Sequence, residues 1–285
     1  MPEFKEVRIV DGSAVITGIE RRGAGTPIVL LHGVGGNALW FQPMMSALCA
    51  SRVIALDMPG HGGSTDAPSW EMDSLAESVF ALSRHLVNGP VIWGGHSWGG
   101  KLAAMIAAIH PETAAALLLL DPTPPSGMPV PVEWYVNHTF AGELGPWPSL
   151  EEARTSVRNL PQYVNWNGDL ARAFERGLVR GVDGMLRARI SRQTLIEICA
   201  TALADHSATI RKVSCPTLFV VADESLGFHE PLSFALLPHA VRAVIRSNHW
   251  LMASNPAELN RAVESWLAKG DDCAHEAGTS PARWH

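Results

Sequence analysis

The sequence predicts an α/β fold: a doubly wound, mostly parallel sheet of eight strands, with a helical segment inserted between two of them. Short apolar runs alternate with amphipathic stretches along most of the 285 residues, as in a sheet covered by helices on both faces. A strand, a sharp turn and a helix follow one another around residue 97, and the alternation is interrupted between residues 122 and 212. The 47% hydrophobic content suffices for one large core.

The predicted strands are short apolar or alternating runs bounded by turn residues. Residues 27–31 (Pro-Ile-Val-Leu-Leu) form a continuous apolar run, which is typical of a parallel strand buried on both faces. Strands are predicted at residues 6–10, 14–20, 27–31, 52–56, 90–94, 115–120, 215–221 and 240–245. Helices of the same layered unit are predicted at residues 39–50, 73–87, 101–107, 231–237 and 256–267.

The insertion begins where Pro-Thr-Pro-Pro at residues 122–125 ends the alternation of strand and helix. Four helix-like stretches follow, and Ser-Leu-Glu-Glu before the second has the form of a capping box. They are residues 132–144, 150–159, 169–180 and 192–205. We therefore divide the chain into a core (residues 1–121 and 213–268), a helical cap (residues 122–212) and a polar, aperiodic tail that we predict to be disordered (residues 269–285).

Charge and composition exclude several kinds of partner. The net charge of −6 and the lack of a Lys/Arg block leave no electrostatic footprint for nucleic acid or for an anionic membrane surface. The charged, alternating start of the chain is unlike a signal peptide, and no apolar run approaches membrane-spanning length, so we predict a cytoplasmic protein. We expect a monomer or homodimer.

The sequence carries no pattern typical of a metal, disulfide or cofactor site. Its cysteines lie far apart without CxxC spacing, so we predict buried free thiols at positions 49, 199, 215 and 273. No pair of histidines has the H-E-x-x-H spacing, and no G-x-x-x-x-G-K-[ST] loop is present. We expect neither a metal nor a cofactor.

The pentapeptide Gly-His-Ser-Trp-Gly at residues 95–99 is the most informative motif. It follows the apolar residues 90–94 and precedes the Ala-rich residues 101–107, so it joins a predicted strand to a predicted helix. A turn this tight strains its central residue, and the flanking glycines remove Cβ atoms that would collide with the strand and the helix. The motif predicts that Ser97 presents its Oγ to a pocket as a nucleophile.

Four motifs in order resemble those of the α/β-hydrolase superfamily over nearly the whole chain. Besides residues 95–99 they are residues 31–36 (Leu-His-Gly-Val-Gly-Gly), residues 57–64 (Asp-Met-Pro-Gly-His-Gly-Gly-Ser) and residues 247–250 (Ser-Asn-His-Trp). The resemblance implies a serine hydrolase with a helical cap over the C-terminal edge of the sheet. We interpret residues 57–64 as a structural turn.

A serine nucleophile needs a base and a site for the oxyanion. His249 lies in the loop after the last strand, where the superfamily places its base, and a histidine exchanges protons near neutral pH. Backbone N–H groups in a dry pocket stabilise the oxyanion of the tetrahedral intermediate. Trp98, the residue after Ser97, supplies one of them, and by resemblance Val34 supplies the other.

The acid that orients His249 is where the sequence departs from the common pattern. In most members of the superfamily it lies in a turn after the seventh strand, and here Ser225 stands at that position. A serine cannot carry the charge that stabilises an imidazolium. Either Asp223 or Glu224 reaches His249 from a shifted turn, or the acid is Asp121 at the end of the sixth strand. We favour Asp121, because a strand end is a rigid platform.

Large rings in and near the insertion indicate an apolar substrate. We predict that Gly33, Trp134, Trp166 and Trp250 line the substrate pocket. We therefore expect a hydrophobic small molecule as substrate, and the predicted activity is hydrolysis of a hydrophobic ester or lactone through an acyl-enzyme. A C–C bond hydrolase, a thioesterase and a ligand-binding receptor without catalysis remain alternatives.

Overall fold

The strands of the protein form one large sheet and one small hairpin. The computed structural model describes residues 4–229 and 232–276. Within these ranges the strands are β1 (Lys5–Asp11), β2 (Ala14–Arg21), β3 (Ala24–Leu31), β4 (Ser51–Leu56), β5 (Val91–His96), β6 (Ala114–Leu120), β7 (Leu178–Arg180), β8 (Leu186–Ala188), β9 (Thr217–Ala222) and β10 (Val241–Ile245). The large sheet has eight strands in the order β1-β2-β4-β3-β5-β6-β9-β10, and β7 pairs with β8.

The large sheet is parallel except at one edge. β2 runs antiparallel to both β1 and β4, and the remaining neighbours are parallel. This confirms the predicted fold class and its eight strands. Because the C-terminal ends of parallel strands meet at one edge of a sheet, the loops after β3, β5, β6, β9 and β10 lie close together.

Helices cover both faces of the sheet and recur along the insertion. In the described ranges they are α1 (Gln42–Ala47), α2 (Met72–Ser83), α3 (Trp98–Ile109), α4 (Val132–Thr139), α5 (Leu150–Val157), α6 (Gly168–Arg176), α7 (Arg192–Ala202), α8 (Ser207–Ile210), α9 (Leu226–His229), α10 (Leu232–Leu236), α11 (Leu251–Ser254) and α12 (Pro256–Glu276). Not one of these helices combines the length and the apolar character needed to cross a membrane.

Two apolar clusters lie on opposite faces of the sheet. In β3, Val29 and Leu31 belong to the cluster that contains α2 and α3, whereas Ile28 and Leu30 belong to the cluster that contains α1 and α12. Side chains alternate between the faces of a strand, so a continuous apolar run is needed to bury both. The run at residues 27–31 meets that requirement.

The predicted helix at residues 39–50 is divided in two. Residues Ala38–Phe41 form a 3-10 turn capped by the Asn37 side chain, and α1 then runs from Gln42 to Ala47. Pro43 has no N–H to donate to the preceding turn, so it is tolerated in the first turn of a helix and not in the middle of a longer one.

Other predicted helix boundaries also differ from the structure: the helices predicted at residues 73–87 and 132–144 end at Ser83 and Thr139. The predicted helix at residues 169–180 ends at Arg176, because Leu178–Arg180 pairs as β7 with β8 across a turn. α12 continues to Glu276 and so extends into the tail that is predicted to be disordered, because no further proline lies between Pro256 and Glu276 to stop helix propagation. The rest of that tail, residues 277–285, lies outside the described residues.

Lys101 of α3 holds both ends of the insertion. Its Nζ donates to the carbonyl oxygens of Pro124 at 3.1 Å, Ala202 at 2.9 Å and Ala204 at 2.6 Å. The side chain is buried, and three acceptors match the three N–H donors of an ammonium group. Burial nevertheless lowers the pKa of Lys101 to about 7.

The cysteines are free thiols in the described part of the chain, and their burial differs from the prediction at one position. Cys199 and Cys215 are buried, whereas Cys49 is exposed in the loop before β4. The side chain of Cys273 lies outside the described residues. Within the described ranges, no group of three or more His, Cys, Asp or Glu side chains is arranged to hold a metal ion.

Candidate active site

Ser97 occupies the sharp turn between β5 and α3. Its backbone has φ 54° and ψ −123°, a conformation that residues other than glycine rarely adopt. A Cβ on Gly95 would lie 2.4 Å from the backbone of Gly99, and a Cβ on Gly99 would lie 2.1 Å from the carbonyl oxygen of Leu31. Only glycine fits at both positions. The motif at residues 95–99 is therefore the strained turn that its sequence predicts.

Three side chains from distant parts of the chain meet at this turn. His249 Nε2 lies 2.9 Å from Ser97 Oγ, and His249 Nδ1 lies 2.6 Å from Asp121 Oδ2. If Nδ1 carries the proton and donates it to Asp121, Nε2 is free to accept the proton of the Ser97 hydroxyl. The arrangement can activate a serine.

Asp121 follows β6 directly and is fully buried. Its Oδ2 also accepts a hydrogen bond from Ser225 Oγ at 2.6 Å. Its Oδ1 accepts a hydrogen bond from the backbone N–H of Ala222 at 3.2 Å and lies 3.5 Å from His229 Nε2. Burial by itself would raise the pKa of Asp121, but the hydrogen bonds from His229 and His249 outweigh it and hold that pKa well below its usual range. Asp121 is therefore a carboxylate.

The alternative acids lie elsewhere. Asp223 and Glu224 are exposed, and Asp223 Oδ1 accepts the backbone N–H of Ser247 at 2.8 Å. Neither carboxylate contacts His249 within the described ranges. The turn after β9 brings Ser225 inward instead, so of the three candidates the structure places Asp121 beside His249.

His96 holds the loop that carries His249. Its Nε2 lies 2.8 Å from the backbone carbonyl oxygen of His249, and the two rings lie 4.7 Å apart. Burial lowers the pKa of His96 to about 3, so the ring is neutral and Nε2–H is the donor. The sequence assigns no role to His96, because only the tertiary structure brings its ring to this loop.

Two backbone N–H groups are available beside Ser97. Trp98 is the first residue of α3, so its N–H has no acceptor within the helix. In the loop after β3, Gly35 N–H donates to His61 Nε2 at 3.1 Å and Gly36 N–H donates to Gly33 O at 3.0 Å. The N–H of Val34 has no such partner in the described part of the chain. Both N–H groups are thus available to donate a hydrogen bond to an oxyanion.

A cavity of about 670 Å³, counting space open to solvent, adjoins Ser97 and His249. Gly33 and Trp250 line it as predicted, and residues of the insertion form the opposite wall. These insertion residues are Thr123, Tyr135, Thr139, Phe140, Glu143, Gln162, Cys199, Ala202 and Leu203. The insertion therefore shapes the space in front of Ser97.

The prediction for the other two tryptophans is wrong. Trp134 is 51% exposed and stacks on His138, because α4 turns Tyr135 and Thr139 toward the cavity and so turns Trp134 away. Trp166 packs against Tyr163 and adjoins a separate surface hollow beside α5.

Comparison with known proteins supports the α/β-hydrolase fold. The family model described as alpha/beta hydrolase fold matches residues 26–137. A 2-(acetamidomethylene)succinate hydrolase of Mesorhizobium japonicum is 26% identical over 76% of this chain and 78% of its own length. A pimeloyl-[acyl-carrier protein] methyl ester esterase of Methylococcus capsulatus is 32% identical over 60% of this chain and 64% of its own length.

Solved structures agree with the family model. The crystal structure of an E-2-(acetamidomethylene)succinate hydrolase has a TM-score of 0.79 over 93% of this chain and 100% of its own, at 21% identity, which shows a common fold. The chain spans between 26% and 78% of the length of the first curated relatives that it matches. By its sheet, its motifs and its family model, the chain has the α/β-hydrolase fold.

Proposed function

We propose that the protein is a serine hydrolase that cleaves a carboxylic ester or lactone of a predominantly apolar small molecule. The observation that carries this proposal is the hydrogen-bonded series from Ser97 Oγ through the His249 ring to Asp121, at 2.9 Å and 2.6 Å, open to a cavity. The relative named as a methyl ester esterase supports the reaction class.

The proposed reaction has two halves. Ser97 Oγ attacks the ester carbonyl carbon while His249 Nε2 takes the hydroxyl proton, and the oxyanion accepts hydrogen bonds from Val34 N–H and Trp98 N–H. The C–O bond of the leaving alcohol breaks as His249 returns the proton to its oxygen. Water then attacks the acyl-enzyme, His249 takes a proton from it, and Ser97 leaves with that proton as the carboxylic acid is released.

The insertion acts in this proposal as a cap that selects the substrate. The cavity in front of Ser97 is walled largely by rings and aliphatic groups, among them Trp40, Tyr135, Phe140, Leu203 and Met252. Such walls favour the burial of apolar substituents. We therefore expect esters with medium-length hydrocarbon groups to react faster than short polar ones.

A second candidate is hydrolysis of a C–N bond. The relative named 2-(acetamidomethylene)succinate hydrolase favours it, since an acetamido group contains an amide C–N bond, and the match covers 78% of that protein. Ser97, His249 and Asp121 can serve both reactions, so the choice between them depends on which substrate the cavity binds. Parallel assays of matched esters, thioesters and amides separate the two.

The first test of the proposed function needs no substrate. Intact mass after treatment with a fluorophosphonate is expected to show one adduct in the wild type, none in Ser97→Ala and a slow one in His249→Ala. Hydrolysis of 4-nitrophenyl esters then reports turnover. A folded protein that forms no adduct and hydrolyses no ester contradicts the proposal, and saturable ligand binding without turnover indicates a receptor instead.

A further inference from the structure

The carboxyl group of Glu143 lies where two cavities meet. One is the cavity in front of Ser97, and the other, of about 500 Å³ counting space open to solvent, extends toward His61, Phe174 and Leu195. Both cavities are lined by Glu143, together with Gly35, Gly36, Trp40 and Phe140. Within this shared wall Glu143 alone carries an ionisable side chain.

The carboxyl group is held by two neutral donors. Gln162 Nε2 donates to Oε1, and Tyr163 Oη donates to Oε2 at 3.1 Å. Gln162 and Tyr163 are each 3% exposed and come from the same 3-10 turn, Pro161–Tyr163. The group is therefore fixed in orientation by buried partners.

Glu143 has no counter-ion in the described part of the chain. No Lys, Arg or His there lies within ion-pair distance of it, although Arg189 lines the second cavity. An ionised carboxylate can accept about four hydrogen bonds, and only two donors are present. Burial raises the pKa of Glu143 to about 7. A ligand that offers a further donor would relieve this desolvation.

We propose that Glu143 determines specificity: its carboxyl group binds a hydroxyl or ammonium group of an otherwise apolar substrate whose ester bond lies at Ser97. The inference rests on the proposed function and deepens it. An ester that ends in a carboxylate is disfavoured, because the like charge of Glu143 repels it without a nearby cation to compensate.

The test compares esters of equal length at pH 8, which lies above the pKa of about 7 that burial gives Glu143. 4-Nitrophenyl heptanoate, 6-hydroxyhexanoate, 6-aminohexanoate and the adipate monoester end in methyl, hydroxyl, ammonium and carboxylate groups. The acetate esters of the corresponding six-carbon alcohols place the same groups on the leaving side. In one of the two series, we expect the wild type to prefer the hydroxyl and ammonium esters over the carboxylate ester by about tenfold or more in kcat/KM.

Glu143→Gln removes the charge and keeps the shape of the side chain. The ratio of kcat/KM for the ammonium ester to that for the carboxylate ester is expected to fall to within about threefold of one. The ratio cancels any general loss of activity. Glu133→Gln, an exposed carboxylate on α4 whose side chain is 74% accessible, is the matched control and should keep the wild-type ratio.

Several outcomes overturn the inference. The inference fails if the wild type shows no preference in either series, or if Glu143→Gln keeps the wild-type ratio of kcat/KM. In either case Glu143 only stabilises the turn Pro161–Tyr163. A preference for the carboxylate ester assigns specificity to Arg189 instead. If Glu143→Gln does not fold, the wild-type ratios still decide. Failure of the proposed function is distinguishable from failure of this inference, because in that case no ester reacts and no fluorophosphonate adduct forms.

Discussion

Ser225 Oγ donates a hydrogen bond to Asp121 Oδ2 at a distance of 2.6 Å. Ser225 stands where most members of the superfamily carry the acid, and Asp121 lies at the end of the neighbouring strand, since β6 and β9 are paired in parallel. Side chains at positions 121 and 225 can therefore both approach His249. The serine that replaces the usual acid now supports the carboxylate that takes its place.

Asp121→Asn is expected to lower kcat by about 10⁴-fold. The amide leaves the site nearly unchanged in shape, but it can neither hold the tautomer of His249 that accepts the Ser97 proton nor stabilise the imidazolium. Hydrolysis of the best ester, measured at pH 7.5, provides the comparison.

Asp223→Asn and Glu224→Gln are the matched controls for that change. Both carboxylates are exposed and neither contacts His249, so each variant should stay within about threefold of the wild-type kcat. Near-normal turnover of Asp121→Asn, or a large loss in either control, would assign the orienting role to another carboxylate.

The acid can be moved to the position of Ser225. In the Asp121→Asn background, the additional change Ser225→Asp is expected to place a carboxylate within reach of His249 Nδ1. In the wild type, Ser225 Oγ and His249 Nδ1 both contact the same atom, Asp121 Oδ2. We expect the double variant to recover at least about tenfold in kcat over Asp121→Asn alone. A double variant no faster than the single one would show that the two positions are not equivalent.

Lys101→Met is expected to lower the free energy of unfolding by about 2 to 4 kcal/mol. Methionine fills the space, but the carbonyl oxygens of Pro124, Ala202 and Ala204 lose the donor that joins both ends of the insertion to α3. Urea denaturation measures the change, and Lys212→Met, at an exposed position, serves as the control. A loss below about 0.5 kcal/mol would mean that the insertion does not depend on Lys101.

Arg176→Met tests the ion pair between the insertion and the core. Arg176 Nη2 lies 2.8 Å from Asp57 Oδ2, and the Asp57 carboxylate is fully buried. Removing the cation leaves that charge unpaired, which typically costs about 3 to 5 kcal/mol of unfolding free energy at neutral pH. Arg172→Met, which breaks only an exposed pair with Asp169, should cost less than about 1 kcal/mol.

The cost of Arg176→Met should depend on pH. Burial by itself raises the pKa of Asp57, but the hydrogen bond and charge of Arg176 outweigh it and hold that pKa below its usual value of 3.8. The stabilisation is therefore fully present above pH 3.8 and is lost as the pH falls through the lower folded pKa. Urea denaturation of both proteins between pH 3 and pH 7 should show the difference shrinking on the acid side. A difference independent of pH would contradict this assignment.

The positions of most strands and the Ser97 turn could be predicted from the sequence, because local patterns determine them. A continuous apolar run such as residues 27–31 suits only a strand buried on both faces. Gly95 is required by its close contact with Gly99 in the same strand, turn and helix, whereas Gly99 leaves room for the backbone of Leu31 in the neighbouring strand β3. The hairpin of β7 and β8 could not be predicted, since its pairing competes with a helical spacing that continues past Arg176.

What the sequence by itself determined is the fold class and the residue types that could form a site: a strained serine, a histidine after the last strand and several candidate carboxylates. The tertiary structure alone decided which carboxylate lies beside His249, that Trp134 faces outward, and that Glu143 lies between two cavities. The physical reason is the separation along the chain over which each interaction acts. Backbone periodicity and turn sterics act between neighbours in the chain, whereas the contact between Asp121 and His249 joins residues 128 positions apart and depends on the packing of the whole sheet.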